Sequence, residues 1–172
     1  MARRGELVEQ DVRSCLAAVE DPELPVSIVD LGMVKRVAVE ASDGGWDVGV
    51  DLVPTFLGCP AQIFIEAAVL KAMRAVDGVV DVRVQWLPAA QWSLEHISPS
   101  GRTALKEIGV AVPDGKGGLE CPNCESTRIV IDSNFGATLC RRLGHCEECG
   151  DPVEIMKSGV DATRLTLPLS AR

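Results

Sequence analysis

CPNC at residues 121–124 and CEEC at 146–149 decide the fold of the C-terminal part of this chain. Each C-x-x-C pair can place two thiolates on one side of a tight turn, and two such turns face to face form a tetrahedral sulfur cage. Four sulfurs leave no open coordination position, so we predict a structural metal at Cys121, Cys124, Cys146 and Cys149. Zinc is the expected metal, although sulfur cages also suit iron. Two disulfides would instead need an oxidising compartment, which nothing in the sequence suggests.

The spacing of these pairs is typical of a zinc ribbon, and a different pattern precedes it. Apolar periodicity and turn residues predict a helix, two strands with a hairpin turn at 42–45, a second helix, a third strand and a third helix, at 6–19, 33–41, 46–53, 60–76, 79–87 and 100–108. In the second helix one face is predicted to carry Ile63, Ala67, Leu70 and Met73. This order indicates the α+β fold class.

The predicted domain organisation has four parts. They are an α+β domain at 1–112, a linker at 113–119, the zinc ribbon at 120–157 and a tail at 158–172. The linker carries Pro113 and several glycines, which is typical of a connection between domains.

Composition excludes several classes of function. The 172 residues are 47% hydrophobic but only 3% aromatic, so the core is expected to be aliphatic. A net charge of −8, and seven carboxylates against four basic side chains in the ribbon, disfavour nucleic-acid binding. No apolar stretch resembles a secretory signal or a membrane-spanning helix. Seven cysteines, an odd number, without an export signal suggest a reducing cytoplasm.

A second cysteine site is expected in TFLGCP, residues 55–60, a loop that contains Thr55, Gly58 and Cys59. Gly58 permits a tight bend, and Cys59 is predicted at the start of a helix. The unpaired N–H groups and the helix dipole there favour thiolate over thiol, which would make Cys59 nucleophilic and a good soft-metal ligand. The alternative is that Cys59 is a small buried residue that fills the turn.

The loop DPELPVSIVDLG, residues 21–32, could approach this cysteine. Its carboxylates are Asp21, Glu23 and Asp30, and carboxylates beside a thiolate form a surface suited to transient iron binding. The alternative is that Asp21 ends a helix and Asp30 caps a turn.

Other cysteines and histidines are assigned packing or surface roles. Cys15 falls on the apolar face of the first helix and is expected in the core. Cys140 is a fifth ribbon cysteine, interpreted as a buried filler rather than a spare ligand. His145 lies beside Cys146 and could replace a thiolate, but the four cysteines already suffice.

The motifs together resemble a known family. DPELPVSIVDLG, PTFLGCP and VVDVRVQWLP resemble the iron–sulfur carrier-assembly domain of SufT-like proteins. With GRTALKEIGVAVP at 101–113 and a ribbon containing SNFGATLC at 133–140, the chain is similar to the PaaD family, which is associated with the multicomponent phenylacetyl-CoA epoxidase. The resemblance covers about residues 10–157 and implies an α+β fold with a small mixed sheet.

The resemblance also implies a role. A PaaD-type subunit is not the oxygenase of aerobic phenylacetate breakdown but assists maturation of its complex, either of the iron–sulfur reductase or of the di-iron centre. Cys59 matches the loop cysteine of the family, Asp21 and Glu23 match its acidic motif, and Thr55 and Gly58 match its loop. The implied partners are the epoxidase subunits and a second copy of the chain.

Three hypotheses follow for function. The leading one is an assembly factor in which Cys59 holds iron or a cluster briefly, with a dimer partner or client thiol supplying further ligands. The second is a stable, non-catalytic structural subunit of the oxygenase complex. The third is an enzyme with Cys59 as nucleophile, which ranks last because no histidine signature lies nearby.

Overall fold

The computed structural model describes residues 2–157. They form two β-sheets, which follow one another along the sequence. The first part contains α1 (Ala2–Ala17), β1 (Val34–Ser42), β2 (Gly45–Leu52), α2 (Gln62–Arg74), β3 (Val79–Trp86) and α3 (Pro99–Glu107). The second contains β4 (Val110–Ala111), β5 (Ile129–Ser133), β6 (Arg141–Cys146) and β7 (Pro152–Met156). The tail predicted at 158–172 lies outside the described residues. No helix in the described part is long and apolar enough to cross a membrane.

The first sheet has the strand order β1-β2-β3 and is mixed, which confirms the predicted fold class. β1 and β2 form the predicted antiparallel hairpin, whose two-residue turn contains Gly44 at a φ of 101°. β3 pairs with β2 in parallel, so the chain crosses over through α2. β2 buries Val48, Val50 and Leu52 at alternate positions, as the period of a strand requires.

The register of this sheet places two loops side by side. Val34 at the start of β1 lies opposite Leu52 at the end of β2. The loop before β1 and the loop after β2 therefore leave the same edge of the sheet. The N–H of Val53 donates to the carbonyl of Met33 at 2.7 Å and holds the two segments together at that edge.

The buried face of α2 differs from the prediction. Ile65, Val69 and Met73 face the core, whereas Ile63 is 76% exposed and Ala67 is also exposed. The sequence QIFIEAAVL offers apolar residues in both registers, so periodicity alone cannot choose between them. Packing against the sheet selects the second register and leaves Ile63 and Phe64 in solvent.

The ribbon forms a sheet with the order β4-β7-β6-β5. β5, β6 and β7 are antiparallel, and β4 adds to β7 in parallel with Ala111 opposite Ile155. Val110 and Ala111, which were predicted at the end of the first domain, thus belong to the ribbon sheet by pairing. Two residues are too short for alternation to reveal a strand. The division into domains stays a prediction.

The two parts share the larger of the two hydrophobic clusters formed by the described residues. It combines Val12 of α1, Leu52 of β2 and Ile65 of α2 with Cys140 and Met156 at the end of the ribbon. Among the large side chains that the structure describes as fully buried, Trp92 is the one aromatic, and its Nε1 donates to the carbonyl of Leu31 at 2.8 Å. The predicted aliphatic core is therefore confirmed.

The two isoleucines of α2 provide a matched test of its orientation. Ile65→Ala should lower the free energy of unfolding by about 2–5 kcal/mol, because it leaves a cavity in the core. Ile63→Ala should change it by no more than about 0.5 kcal/mol. Urea unfolding of both variants measures the difference, and equal losses would contradict the buried face assigned here.

Candidate functional site

The four ribbon cysteines come together as predicted. Their sulfur atoms all lie within 4.8 Å of one another. Cys121 Sγ is 3.8 Å from Cys149 Sγ, and Cys124 Sγ is 3.6 Å from Cys146 Sγ. A tetrahedron of thiolates bound to zinc at about 2.3 Å has edges of about 3.8 Å, so the sulfur positions fit such an ion. The cluster is a metal-binding site with its coordination positions filled by the chain itself.

The two C-x-x-C turns have the same backbone design. The N–H of Cys121 donates to Ser126 and that of Cys146 to Asp151, both at 2.9 Å. The residue after each pair is left-handed, with φ of 61° at Glu125 and 80° at Gly150. The same left-handed residue after each pair lets both C-x-x-C turns direct their sulfurs towards one another. Glu125 adopts this conformation although glycine suits it better.

Backbone N–H groups favour the thiolate form of one ribbon cysteine, Cys146. N–H groups of Cys149 and Glu148 donate to the sulfur of Cys146 and lower its pKa to about 6. Thiolate is the form that binds metal, so these donors favour metal binding at Cys146, whereas desolvation and the neighbouring sulfurs raise the pKa of Cys124 and of Cys149. His145 points elsewhere, since its Nδ1 lies 2.9 Å from Asp132 Oδ2, and it does not replace a thiolate.

The second site lies in the loop after β2. Thr55 is buried, and Gly58 has a φ of 75°, which confirms the predicted tight bend. Cys59 follows this bend, and its N–H donates to the carbonyl of Phe56 at 3.3 Å. α2 begins only at Gln62, so Cys59 precedes the first turn of the helix.

The prediction of an activated Cys59 thiolate is wrong. Cys59 is 8% exposed, and burial raises its pKa to about 11. The N–H of Ala61 lowers the pKa, but the charges of Asp21 and Glu23 oppose it. Desolvation and two carboxylates outweigh the helix end. Cys59 is therefore a protonated thiol at neutral pH, close to the alternative of a small buried residue.

The acidic loop approaches Cys59 as predicted. Asp21 is buried, and its Oδ1 accepts the N–H groups of Glu23 at 2.8 Å and Leu24 at 3.1 Å. Burial raises the pKa of this carboxyl above its usual value. Asp21 thus both caps the turn, as the alternative held, and lies within electrostatic reach of the thiol. Asp30 instead accepts the hydroxyls of Ser98 and Ser100 at the start of α3.

The ribbon contributes the remaining side of this site, which the sequence did not indicate. Cys140 is 4% exposed, as predicted for a filler, and belongs to the same core cluster as Cys59. Its charge is among those that raise the pKa of Cys59. The positive charge of Arg141 partly offsets the effect of burial on the pKa of Asp21, because it favours the carboxylate. The Cys140 thiol and the Arg141 guanidinium, both from the ribbon, therefore act on groups of the acidic loop and of the cysteine loop.

A buried lysine fastens the ribbon to the cysteine loop. The Nζ of Lys157 lies 5.3 Å from the ring centroid of Phe56 and 5.5 Å from that of Phe135. It also donates to the carbonyl of Leu139 at 2.9 Å, which compensates for its burial. Because Phe56 precedes Gly58 and Cys59, this contact ties the end of β7 to the loop that carries the thiol.

Comparisons with known proteins also separate an N-terminal α+β part from a C-terminal ribbon. A family model described as iron-sulfur cluster assembly protein matches residues 9–86, and one described as PaaD zinc beta ribbon domain matches residues 107–157. These matches define the class, an assembly domain followed by a metal-binding β ribbon.

Individual relatives narrow the class. The chain is 32% identical over 155 residues to an Escherichia coli protein named as a subunit of 1,2-phenylacetyl-CoA epoxidase, and the match covers 86% of this chain and 91% of that protein. It is 35% identical over 101 residues to an Fe-S protein maturation auxiliary factor of Porphyromonas gingivalis, covering 59% of this chain and 90% of the relative. The chain belongs to the PaaD family.

A solved structure supports the fold of the first part. A crystal structure of a domain of unknown function from Bacillus anthracis superposes with a TM-score of 0.53 at 32% sequence identity. The match covers 61% of this chain and 97% of that domain. The first part therefore shares its fold with that domain, which is matched over nearly its whole length.

Removal of one ribbon sulfur tests the metal site. Cys121 is fully buried within the small ribbon core, so Cys121→Ala should release about one equivalent of metal and unfold the ribbon. Elemental analysis of the purified protein measures the loss. Cys15→Ala changes a cysteine outside both sites and should keep the full metal content. Full retention in Cys121→Ala would contradict the four-sulfur cage.

The raised pKa of Cys59 predicts a pH dependence. Only thiolate reacts with iodoacetamide, so labelling of Cys59 should accelerate by about tenfold per pH unit between about pH 7.5 and 9.5. Asp21→Asn removes a charge that raises this pKa but keeps an oxygen acceptor, so labelling should be faster at each pH. Mass spectrometry of the Cys59 peptide gives the rates. A rate that levels off below pH 9 would contradict a pKa of about 11.

Proposed function

We propose that this chain is a maturation factor for a phenylacetyl-CoA epoxidase, which assists assembly of an iron–sulfur or di-iron centre. Membership of the PaaD family supports phenylacetyl-CoA epoxidase as the client protein. The relative named as an Fe-S protein maturation auxiliary factor supports the role in maturation. The observation that carries the proposal is that the charges of Asp21 and Glu23 act on the Cys59 thiol and raise its pKa, which places the acidic turn near that thiol. Cys59 is the residue that would handle the iron.

The protonated state of Cys59 suits a transient carrier. A thiol with a pKa of about 11 must lose its proton before it binds iron, and that proton competes with the metal at neutral pH. Binding is therefore weaker than at a preformed thiolate, and the cargo can pass to a client with better ligands. Burial also slows oxidation of the thiol while no cargo is bound.

The other residues of the site have supporting roles in this proposal. Gly58 permits the left-handed bend that presents Cys59, and the buried Thr55 anchors the start of the loop. Asp21 and Glu23 attract the cation, and the bond from the N–H of Glu23 to Asp21 Oδ1 stabilises the acidic turn. One cysteine cannot hold a cluster alone, so a second copy of the chain or a client thiol completes the coordination.

The ribbon is proposed to hold zinc for structural purposes. The tetrahedral fit of its sulfurs and the lowered pKa of Cys146 favour a permanently bound ion without an open position. The net charge of −8 gives no basis for nucleic-acid binding, so the ribbon acts as a rigid docking module towards protein partners in the cytoplasm. The proposed factor is not an enzyme, since the raised pKa of Cys59 disfavours a nucleophilic role.

A stable, non-catalytic subunit of the oxygenase complex is the second candidate. Exposed apolar side chains beside the cysteine loop, Leu57, Ile63 and Phe64, favour it because such residues are typical of protein interfaces. The stoichiometry of this chain in the purified epoxidase complex distinguishes the structural subunit from the maturation factor. A permanent equimolar share of the purified epoxidase complex supports the structural subunit, whereas substoichiometric presence or absence supports the maturation factor.

Reconstitution of the client tests the maturation role. Apo epoxidase components are supplied anaerobically with ferrous iron and sulfide, with this chain or without it, and recovery of the iron centres is followed by absorption and electron paramagnetic resonance. The wild-type chain should accelerate recovery, and Cys59→Ser should fall to the level without the chain. Cys15→Ser, a matched change outside the site, should retain full effect. Equal recovery with Cys59→Ser would remove the carrier mechanism.

A further inference from the structure

The outer edge of the ribbon sheet carries aliphatic side chains in solvent. β5 is the last strand in the order β4-β7-β6-β5, so among the described residues it pairs with β6 alone. Val130 is 39% exposed and Ile131 is 47% exposed, although successive residues of a strand lie on opposite faces. Solvent therefore reaches both faces of β5. An apolar edge strand of this kind is a template for pairing with another strand.

The sequence of this edge is complementary to itself. Residues 128–132 read RIVID, with a base at one end, an acid at the other and aliphatic residues between them. We propose that β5 pairs antiparallel with β5 of a second copy of this chain, about a two-fold axis at Val130. In that register Arg128 of each copy lies opposite Asp132 of the other, and Ile129 lies opposite Ile131. Opposite charges and aliphatic pairs across the strands both stabilise such a contact.

The backbone direction of β5 fits the same register. The N–H of Glu147 donates to the carbonyl of Arg128 at 2.8 Å, so the carbonyl of Arg128 faces β6. Backbone groups alternate in direction along an antiparallel strand. The groups of Val130 therefore also face β6, whereas those of Ile129 and Ile131 face the open edge. These two isoleucines are the residues that the two-fold register places opposite each other.

The proposed pairing has a definite hydrogen-bond pattern. The N–H of Ile131 donates to the carbonyl of Ile129 in the second copy, and the two-fold axis repeats this bond. The N–H of Ile129 keeps its own contact with the carbonyl of Thr127 at 3.1 Å. Val130 then faces itself in a pair without hydrogen bonds, where the side chains of antiparallel strands come closest.

The charged ends of the segment are accessible for these contacts. Arg128 pairs with Glu147 and Glu148 at 3.4 and 3.0 Å, yet most of its side chain is exposed. Asp132 lies beside His145 and is about half exposed. A guanidinium has five donors, so Arg128 can add a carboxylate of the second copy to its present partners. Exposed ion pairs contribute little affinity, so their main effect is to fix the register.

A β-bulge limits the length of the interface. The pairing of β5 with β6 shifts between Ile131 and Ser133, so Asp132 is the extra residue and the regular edge ends there. Pairing is thus confined to about five residues in each copy, which is less than a permanent interface needs. We therefore expect a weak dimer, which forms as the protein concentration rises. Cys59 has no part in it, so this inference is independent of the proposed function.

Charge exchange across the two-fold axis tests the register. Sedimentation velocity of the zinc-loaded chain from about 10 μM to 1 mM, at a salt concentration of about 0.15 M that screens the net charge of −8, should show a monomer that becomes a dimer. Arg128→Asp and Asp132→Arg should each weaken the dimer by about threefold to tenfold, because each places like charges opposite one another. The double exchange should restore wild-type dimerisation. A folded double variant as weak as the single ones would overturn the register.

Two lysine substitutions distinguish the edge from the rest of the ribbon. Val130→Lys places two ammonium groups together at the two-fold axis and should abolish the dimer. Leu143→Lys changes a side chain of β6 that is also 39% exposed but lies away from the edge, and it should leave the dimer unchanged. The zinc content of both variants reports whether the ribbon is folded. Equal effects of the two substitutions would overturn the inference.

Amide hydrogen exchange of the wild-type chain needs no variant. The amide of Ile131 should exchange more slowly as the protein concentration rises, whereas the amide of Val130, which faces β6, should not change. A chain that stays monomeric, or a dimer without protection of Ile131, would overturn the inference. Protection of Ile131 in a monomeric chain by an added epoxidase component would overturn self-pairing and assign the edge to a strand of another protein.

Discussion

The rest of the structure depends on one constraint. The residues around Cys140 and Met156, at one end of the ribbon sheet, pack into the core of the assembly domain. Cys140 and Met156 join the cluster formed by α1, β2 and α2, and Lys157 is held between Phe56 and Phe135. A buried ammonium is costly unless it finds partners, and here it has two ring faces and the carbonyl of Leu139. Its position therefore sets the ribbon against the Cys59 loop.

Two sulfur environments of opposite character lie within one small protein. In the ribbon, backbone N–H groups donate to Cys146 and lower its pKa to about 6. At Cys59, burial and the charges of Asp21 and Glu23 raise the pKa to about 11. The first environment suits a retained metal, because four sulfurs at tetrahedral spacing can surround a single ion without an open position. At Cys59 a metal would have to compete with the thiol proton, which is the physical difference between the two sulfur environments.

The ribbon distinguishes this chain from relatives that consist of the assembly domain alone. The Bacillus anthracis domain is matched over 97% of its length, yet it corresponds to only 61% of this chain. The added part buries one side of the cysteine loop and places Arg141 near Asp21. It leaves Leu57 of the loop and Phe64 of α2 exposed. That side of the loop is therefore open to solvent, whereas the ribbon covers the other side.

Local sequence determined the three strands of the first sheet, the hairpin, the left-handed bend at Gly58 and the four-cysteine cage, because turn residues and ligand spacing act over a few residues. It could not determine the buried face of α2, since both registers of QIFIEAAVL are apolar. The pKa of Cys59 and the place of Cys140 were decided only by tertiary structure. Desolvation and charge depend on which distant segments pack around a group, and here those segments are the acidic loop and the end of the ribbon.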